Sequence, residues 1–219
     1  HLAMNSVAIK PYPICHFNHA PVDAALHLRA KHGLRSDQIE SITIGLHERQ
    51  FAVVVEPVAR KQRPESEYEA KFSVAYAVAT ALVRGQLGLR ELELESRTDE
   101  AILALTPRIH CVHDDRSNYP KTFSGGVSIK MRDGTVYEHF DTVNRGAEGR
   151  LLSVDDVKTK FVQNCRLVLS EARTEAVWEA IMDVDKQDDC SALLDALKGL
   201  GDPISIADRN KAVSRSATC

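Results

Sequence analysis

The sequence predicts an α+β fold: a small, mainly antiparallel sheet with flanking helices and a helical C-terminal third. Three observations predict it. Apolar and polar residues alternate with period two at 42–46 and 127–132. Apolar stripes of helical spacing run through 72–83 and recur from 154 onward. No β-α-β period repeats between them, which argues against a doubly wound sheet. At 219 residues, the length fits one large domain or two small ones of about 100–200 residues each.

Taken in order, Ser6 to Pro13 is expected to be extended. Pro11 and Pro13 fix their own φ and push Lys10 and Tyr12 out of the helical region. A helix follows over 21–32: Pro21 suits a first turn, Asp23 is placed to favour its positive end, and Gly33 stops it. Ile42, Ile44 and Leu46 mark a strand that Phe51–Val55 extends or follows. Residues 56–68, with Pro57, Pro64 and many charges, read as a polar loop. Phe72, Ala75, Tyr76, Ala79, Leu82 and Val83 give the clearest helix, ended by Gly85. A short helix from Thr98 as N-cap to Leu105 precedes a short strand over 109–113. Val127, Ile129 and Met131 then form one arm of a hairpin that turns at Asp133-Gly134 into 135–141. Ser153 caps the first of three C-terminal helical patterns. The boundaries expected are one domain over 1–202 and a polar tail over 203–219.

Charge and composition exclude several classes. The formal net charge is −3 with 28 basic and 31 acidic residues, and the pI is near 6.3, so neither a nucleic-acid surface nor an anionic-membrane surface is expected. No apolar run is long enough to span a bilayer. Five cysteines, odd in number and without a C-x-x-C pair, predict free thiols in a reducing, cytoplasmic compartment. The start His-Leu-Ala-Met lacks the pattern of a signal peptide and is expected to open a piece of a longer protein.

Candidate chemistry concentrates near the start. Five of nine histidines fall in the first 35 residues, where Lys and Arg exceed Asp by three charges. Lys10-Pro-Tyr-Pro-Ile-Cys-His16-Phe-Asn-His19 sets a cation and two titratable rings before a helix, which are the parts of an anion site. Local chemistry alone favours the plainer reading, a solvated Lys10 with His16 and His19 capping or packing locally and prolines that only shape a loop. Cys15 beside His16 reads as an inert buried thiol, because nothing orients the ring. His110 and His113 stand three apart on a strand, so their rings diverge and no metal is expected. Gly125-Gly126 lacks any phosphate-loop context. Asp155-Asp156 and Asp188-Asp189 fit helix starts. Lys121, after Tyr119-Pro120, reaches either an anion or water.

Together Lys10-Pro-Tyr-Pro-x-Cys-x-x-x-His19, Pro21-Val-Asp-Ala-Ala, Glu69-Ala-Lys-Phe-Ser73 and Tyr119-Pro120 ahead of Asp133-Gly134 resemble, in order over about positions 7–198, the C-terminal domain of the MmgE/PrpD family. That family includes 2-methylcitrate dehydratase, cis-aconitate decarboxylase and iminodisuccinate epimerase. The resemblance implies lyase or isomerase chemistry on a small polycarboxylate, 2-methylcitrate dehydratase-like, with no metal or organic cofactor. It further implies an N-terminal all-helical domain absent from this chain, a cleft between the two domains, homodimerisation, and an isolated chain without activity. Carried over residue by residue, Lys10 and His19 take catalytic roles, and Lys10, His16 and Lys121 bind substrate. The family often has Arg where His16 stands, so that charge depends on pH here. A ligand-binding or dimerisation module without catalysis is the alternative from a different class.

Overall fold

The structure, a computed structural model, describes residues 7–198. The expected tail over 203–219 lies outside the described residues. The chain divides into two compact units that meet in sequence at Leu152 and Ser153.

The first unit opens with helix α1 (His19–His32), which Gly33 closes in the left-handed region at φ +61° while its amide donates to the Arg29 carbonyl. Strand β1 (Ile39–Leu46) buries Ile42, Ile44 and Leu46 completely. The chain does not continue as a strand at Phe51. His47 and Gln50 form a reciprocal cap that coils Glu48–Gln50 and leads into the helical turn α2 (Phe51–Val54). The apolar run at 51–55 is therefore helical, and the reason lies in the polar residues before it.

Part of the expected loop 56–68 is also helical, as α3 (Val58–Gln62) and the start of α4 (Glu67–Lys71). Ser66 caps α4 by accepting from the Glu69 amide. Helix α5 (Val74–Arg84) begins at Ser73, whose hydroxyl accepts from the Tyr76 amide, and it ends at Gly85 with φ +74°. Residues Val74 to Leu82 of α5 are all buried, as its wide apolar surface requires. Two short helices follow, α6 (Leu94–Arg97) and α7 (Glu100–Leu105). Asp99, not Thr98, caps α7, because its carboxylate takes the Ala101 and Ile102 amides while the Thr98 hydroxyl turns back to the Leu94 carbonyl.

Strands β2 (Ile109–His113), β3 (Gly125–Met131) and β4 (Val136–Asp141) complete a sheet of order β2-β1-β3-β4. β1 pairs in parallel with β2, while β1–β3 and β3–β4 are antiparallel, so the fold is α+β with a mixed four-stranded sheet. In register, Ile42 stands between Ile109 and Ile129. α1 packs on β3 and β4 and against α5, joining helices and sheet through one apolar core. Each fully buried Ile or Leu there contributes about 1.5–3 kcal/mol.

The second unit holds α8 (Val154–Cys165), α9 (Glu171–Met182) and α10 (Ser191–Leu197). Ser153 and Asp156 form a capping box at α8. Trp178 of α9 packs on Phe161 of α8 with ring centroids 5.3 Å apart. Among the described residues no helix is long and apolar enough to cross a membrane.

Candidate functional site

The segment before α1 is fixed by the Glu-Ala-Lys-Phe-Ser stretch that ends α4. The Lys71 carbonyl accepts from the Cys15 amide at 2.9 Å and from the Asn18 side-chain amide at 3.3 Å. Two sequence motifs more than fifty residues apart are thereby stitched together. Within the segment, Lys10 Nζ donates to the Ile14 carbonyl at 3.1 Å, and His19 Nε2 lies 3.3 Å from that same oxygen. His16 packs edge-on against His19 with ring centroids 4.9 Å apart. Lys10, His16 and His19 thus share one small volume, Lys10 exposed, His16 half-buried and His19 fully buried.

Lys121 occupies a different position. It is exposed on the loop between β2 and β3, and its backbone amide donates to the Asn118 carbonyl at 2.9 Å. Phe123, two residues on, sets its ring 5.5 Å from that of His16 and 5.2 Å from that of Phe17. The loop that carries Lys121 is therefore seated on the histidine segment. The Tyr119-Pro120 bond in this loop is cis, and the Tyr119 ring lies 5.8 Å from Phe17 and 5.2 Å from His47.

Electrostatics distinguish the groups. Burial, followed by the nearby Lys10 ammonium, pushes the His16 ring below its ordinary pKa. His16 is therefore neutral at pH 7, able to take a proton where an Arg would hold a fixed charge. Burial raises the Cys15 thiol, so it is a poor thiolate, in line with an inert role. His110 and His113 point to different surroundings. His110 lines a cavity with Val58, Lys61 and Cys111, whereas His113 Nδ1 accepts from the Glu48 amide at 3.2 Å and its Nε2 lies 3.1 Å from Asp115. Among the described residues no group of three His, Cys, Asp or Glu side chains is placed to hold a metal ion.

Sequence reasoning missed a second layer behind the histidines. Asp23 does not sit at the helix N-terminus, because α1 begins four residues earlier. It is buried, and its carboxylate accepts the Tyr12 hydroxyl at 2.6 Å. The Tyr12 ring meets His19 edge-on at 5.5 Å. Arg145, from the loop after β4, joins the pair with Nε 3.6 Å from Asp23 Oδ1. Tyr12 and Asp23 stand eleven residues apart, and nothing local marks their pairing or the approach of Arg145.

The family model for the MmgE/PrpD C-terminal domain matches residues 12–186. The chain belongs to the MmgE/PrpD family. His16, His19 and Lys121 fall inside the matched span, and Lys10 stands two residues before it. Among curated MmgE/PrpD relatives, the cis-aconitate decarboxylase of Mus musculus is 25% identical over 207 residues, covering 90% of this chain and 41% of that protein. The cis-aconitate decarboxylase of Homo sapiens is 24% identical, covering 99% of this chain and 45% of that protein. The cis-aconitate decarboxylase-like protein oryM of Aspergillus oryzae is 24% identical, covering 74% and 33%. The chain spans less than half the length of the curated relatives it matches.

Proposed function

We propose that this chain is the C-terminal part of a cofactor-independent lyase that acts on a small polycarboxylate, with Lys10, His16 and His19 on its side of the substrate cleft. The observation that carries the proposal is the packing of His16 on His19 beside Lys10, at 4.9 Å between rings. Chemistry next to a carboxylate needs a cation to hold and neutralise charge and a group near neutral pKa to move a carbon-bound proton. Lys10 supplies the cation and Lys121 a second one from the neighbouring loop. The His16–His19 pair handles the proton: His16 is the ring with exposed surface, and His19 is the enclosed ring behind it.

Two reactions of this class are in view. Dehydration of a 2-methylcitrate-like acid removes the carbon-bound proton and expels hydroxide, which leaves as water once protonated. Decarboxylation of cis-aconitate breaks the bond to CO2 and returns a proton to the chain carbon. The relatives named cis-aconitate decarboxylase favour the second as the first reaction to assay. The remaining groups come from the rest of a longer protein, and assembly as a homodimer is part of the proposal.

The test is to incubate the full-length protein with cis-aconitate, 2-methylcitrate, citrate and iminodisuccinate and to follow CO2 release and products by NMR. Conversion of one of them is expected. No conversion of any of the four would refute the lyase reading and favour a ligand-binding or dimerisation module.

A further inference from the structure

Lys10 is bracketed on both sides by one loop. On its N-terminal side the Ile9 amide donates to the Gly146 carbonyl at 3.0 Å. Gly146 has φ +86°, and a Cβ there would collide with the Ile9 carbonyl oxygen, so the approach needs glycine. On its C-terminal side the Tyr12 hydroxyl donates to Asp23 Oδ1 at 2.6 Å. Arg145, the residue before Gly146, reaches the same pair: its Nη2 donates to the Tyr12 oxygen at 3.5 Å, and its Cζ lies 5.7 Å from the Tyr12 ring centroid. Residues 145 and 146 therefore grip the chain just before and just after the lysine.

We propose that Asp23, Tyr12 and Arg145 are positioning residues that set the place of Lys10 and of the His19 ring; this rests on the reading of Lys10 and His19 as site residues. The polar character of the pair is the reason to assign it more than packing. Asp23 keeps 7% of its side chain exposed, and its Oδ2 is buried with no hydrogen-bond partner among the described residues. Such a group costs stability that an apolar pair of similar volume would not. Burial also raises both the Asp23 carboxyl and the Tyr12 hydroxyl, so the hydroxyl remains a donor throughout the neutral range. A directional bond fixes the angle of the Tyr12 ring, and that ring contacts His19 edge-on. The Tyr12–Asp23 bond thus orients the ring that meets His19, while the Ile9–Gly146 bond holds the chain on the other side of Lys10.

The experiment labels the full-length protein with an amine-reactive acetylating ester and reads Lys10 by peptide mass spectrometry, against exposed Lys130 as internal reference, in wild type, Asp23→Asn, Tyr12→Phe, Arg145→Met and Arg145→Lys. Lys10 labelling relative to Lys130 is expected to change at least threefold in the first three variants and to return toward wild type in Arg145→Lys. Where the wild type turns over a polycarboxylate, kcat/KM is expected to fall at least tenfold through kcat, and Asp23→Asn is expected to add nothing in a Lys10→Ala background. Unchanged Lys10 labelling in folded variants overturns the proposal, as do strictly additive effects with Lys10→Ala. Should Asp23→Asn not fold, Tyr12→Phe lacks only one oxygen, and Arg145→Met alters a side chain one-third exposed; unchanged labelling in either is equally decisive. Shifted labelling with no turnover in wild type would refute the lyase reading alone, and turnover with unchanged labelling would refute the bracket alone.

Discussion

Replacing Gly146 by Ala tests the link between the loop after β4 and the segment that carries Lys10. An L side chain at φ +86° costs about 1–2 kcal/mol from the contact of Cβ with its own backbone. The new Cβ would also stand well inside van der Waals contact with the Ile9 carbonyl oxygen, an overlap that no side-chain rotation can relieve, because the neighbour is backbone. The two segments must part, which forfeits the Ile9–Gly146 hydrogen bond, worth about 0.5–1.5 kcal/mol. The expected destabilisation is therefore about 1.5–3.5 kcal/mol, or roughly 3–14 °C in Tm for a protein of this size. Urea denaturation followed by far-UV circular dichroism measures it directly. A Gly146→Ala protein within about 0.5 kcal/mol of wild type, the lower bound for one hydrogen bond, would show that the loop does not hold residue 9, and the bracket around Lys10 would fall with it.

Tyr76→Phe removes a hydroxyl that donates to the Glu91 carbonyl at 2.5 Å from a fully buried ring, and a loss of about 1–3 kcal/mol is expected in the same assay. Burial pushes the Tyr76 hydroxyl up from 10.0 to about 12. The unfolded chain then releases this proton first, so wild-type stability is expected to fall as pH rises from 10 toward 12, and Tyr76→Phe should flatten that fall. His16 works in the opposite sense. Its ring is held below the ordinary 6.5 by burial and by Lys10, so the unfolded state binds the proton more readily and stability is expected to fall as pH drops below about 6.5. A His16→Gln protein with the same pH profile as wild type would contradict this.

The elements most legible in the sequence were those whose signal is local. The β3 arm of the hairpin alternates strictly from Val127 to Met131 ahead of the Asp133-Gly134 turn, and α5 shows a wide stripe between Ser73 and Gly85. Phe51–Val55 misleads because a short apolar run suits strand or helix alike, and the choice is made by the His47–Gln50 cap. Asp99 displaces Thr98 as a cap because its carboxylate accepts hydrogen bonds from two backbone amides, which neighbouring residues do not reveal. In the candidate site, Lys10, His16 and His19 are near in sequence and so were found together. Phe123, Asp23 and Arg145 were not, because Asp23 pairs with Tyr12 across eleven residues and the other two arrive on two separate loops more than a hundred residues away.

If the Lys10–His19 segment holds a polycarboxylate for proton transfer, as proposed, Lys10→Ala must cripple turnover, so kcat/KM of the full-length variant is compared with wild type on whichever of the four acids is converted. A fall of at least about 100-fold is expected for the loss of a charge-assisted contact to the reacting carboxylate. Activity equal to wild type in the folded variant would contradict the account and move the site elsewhere.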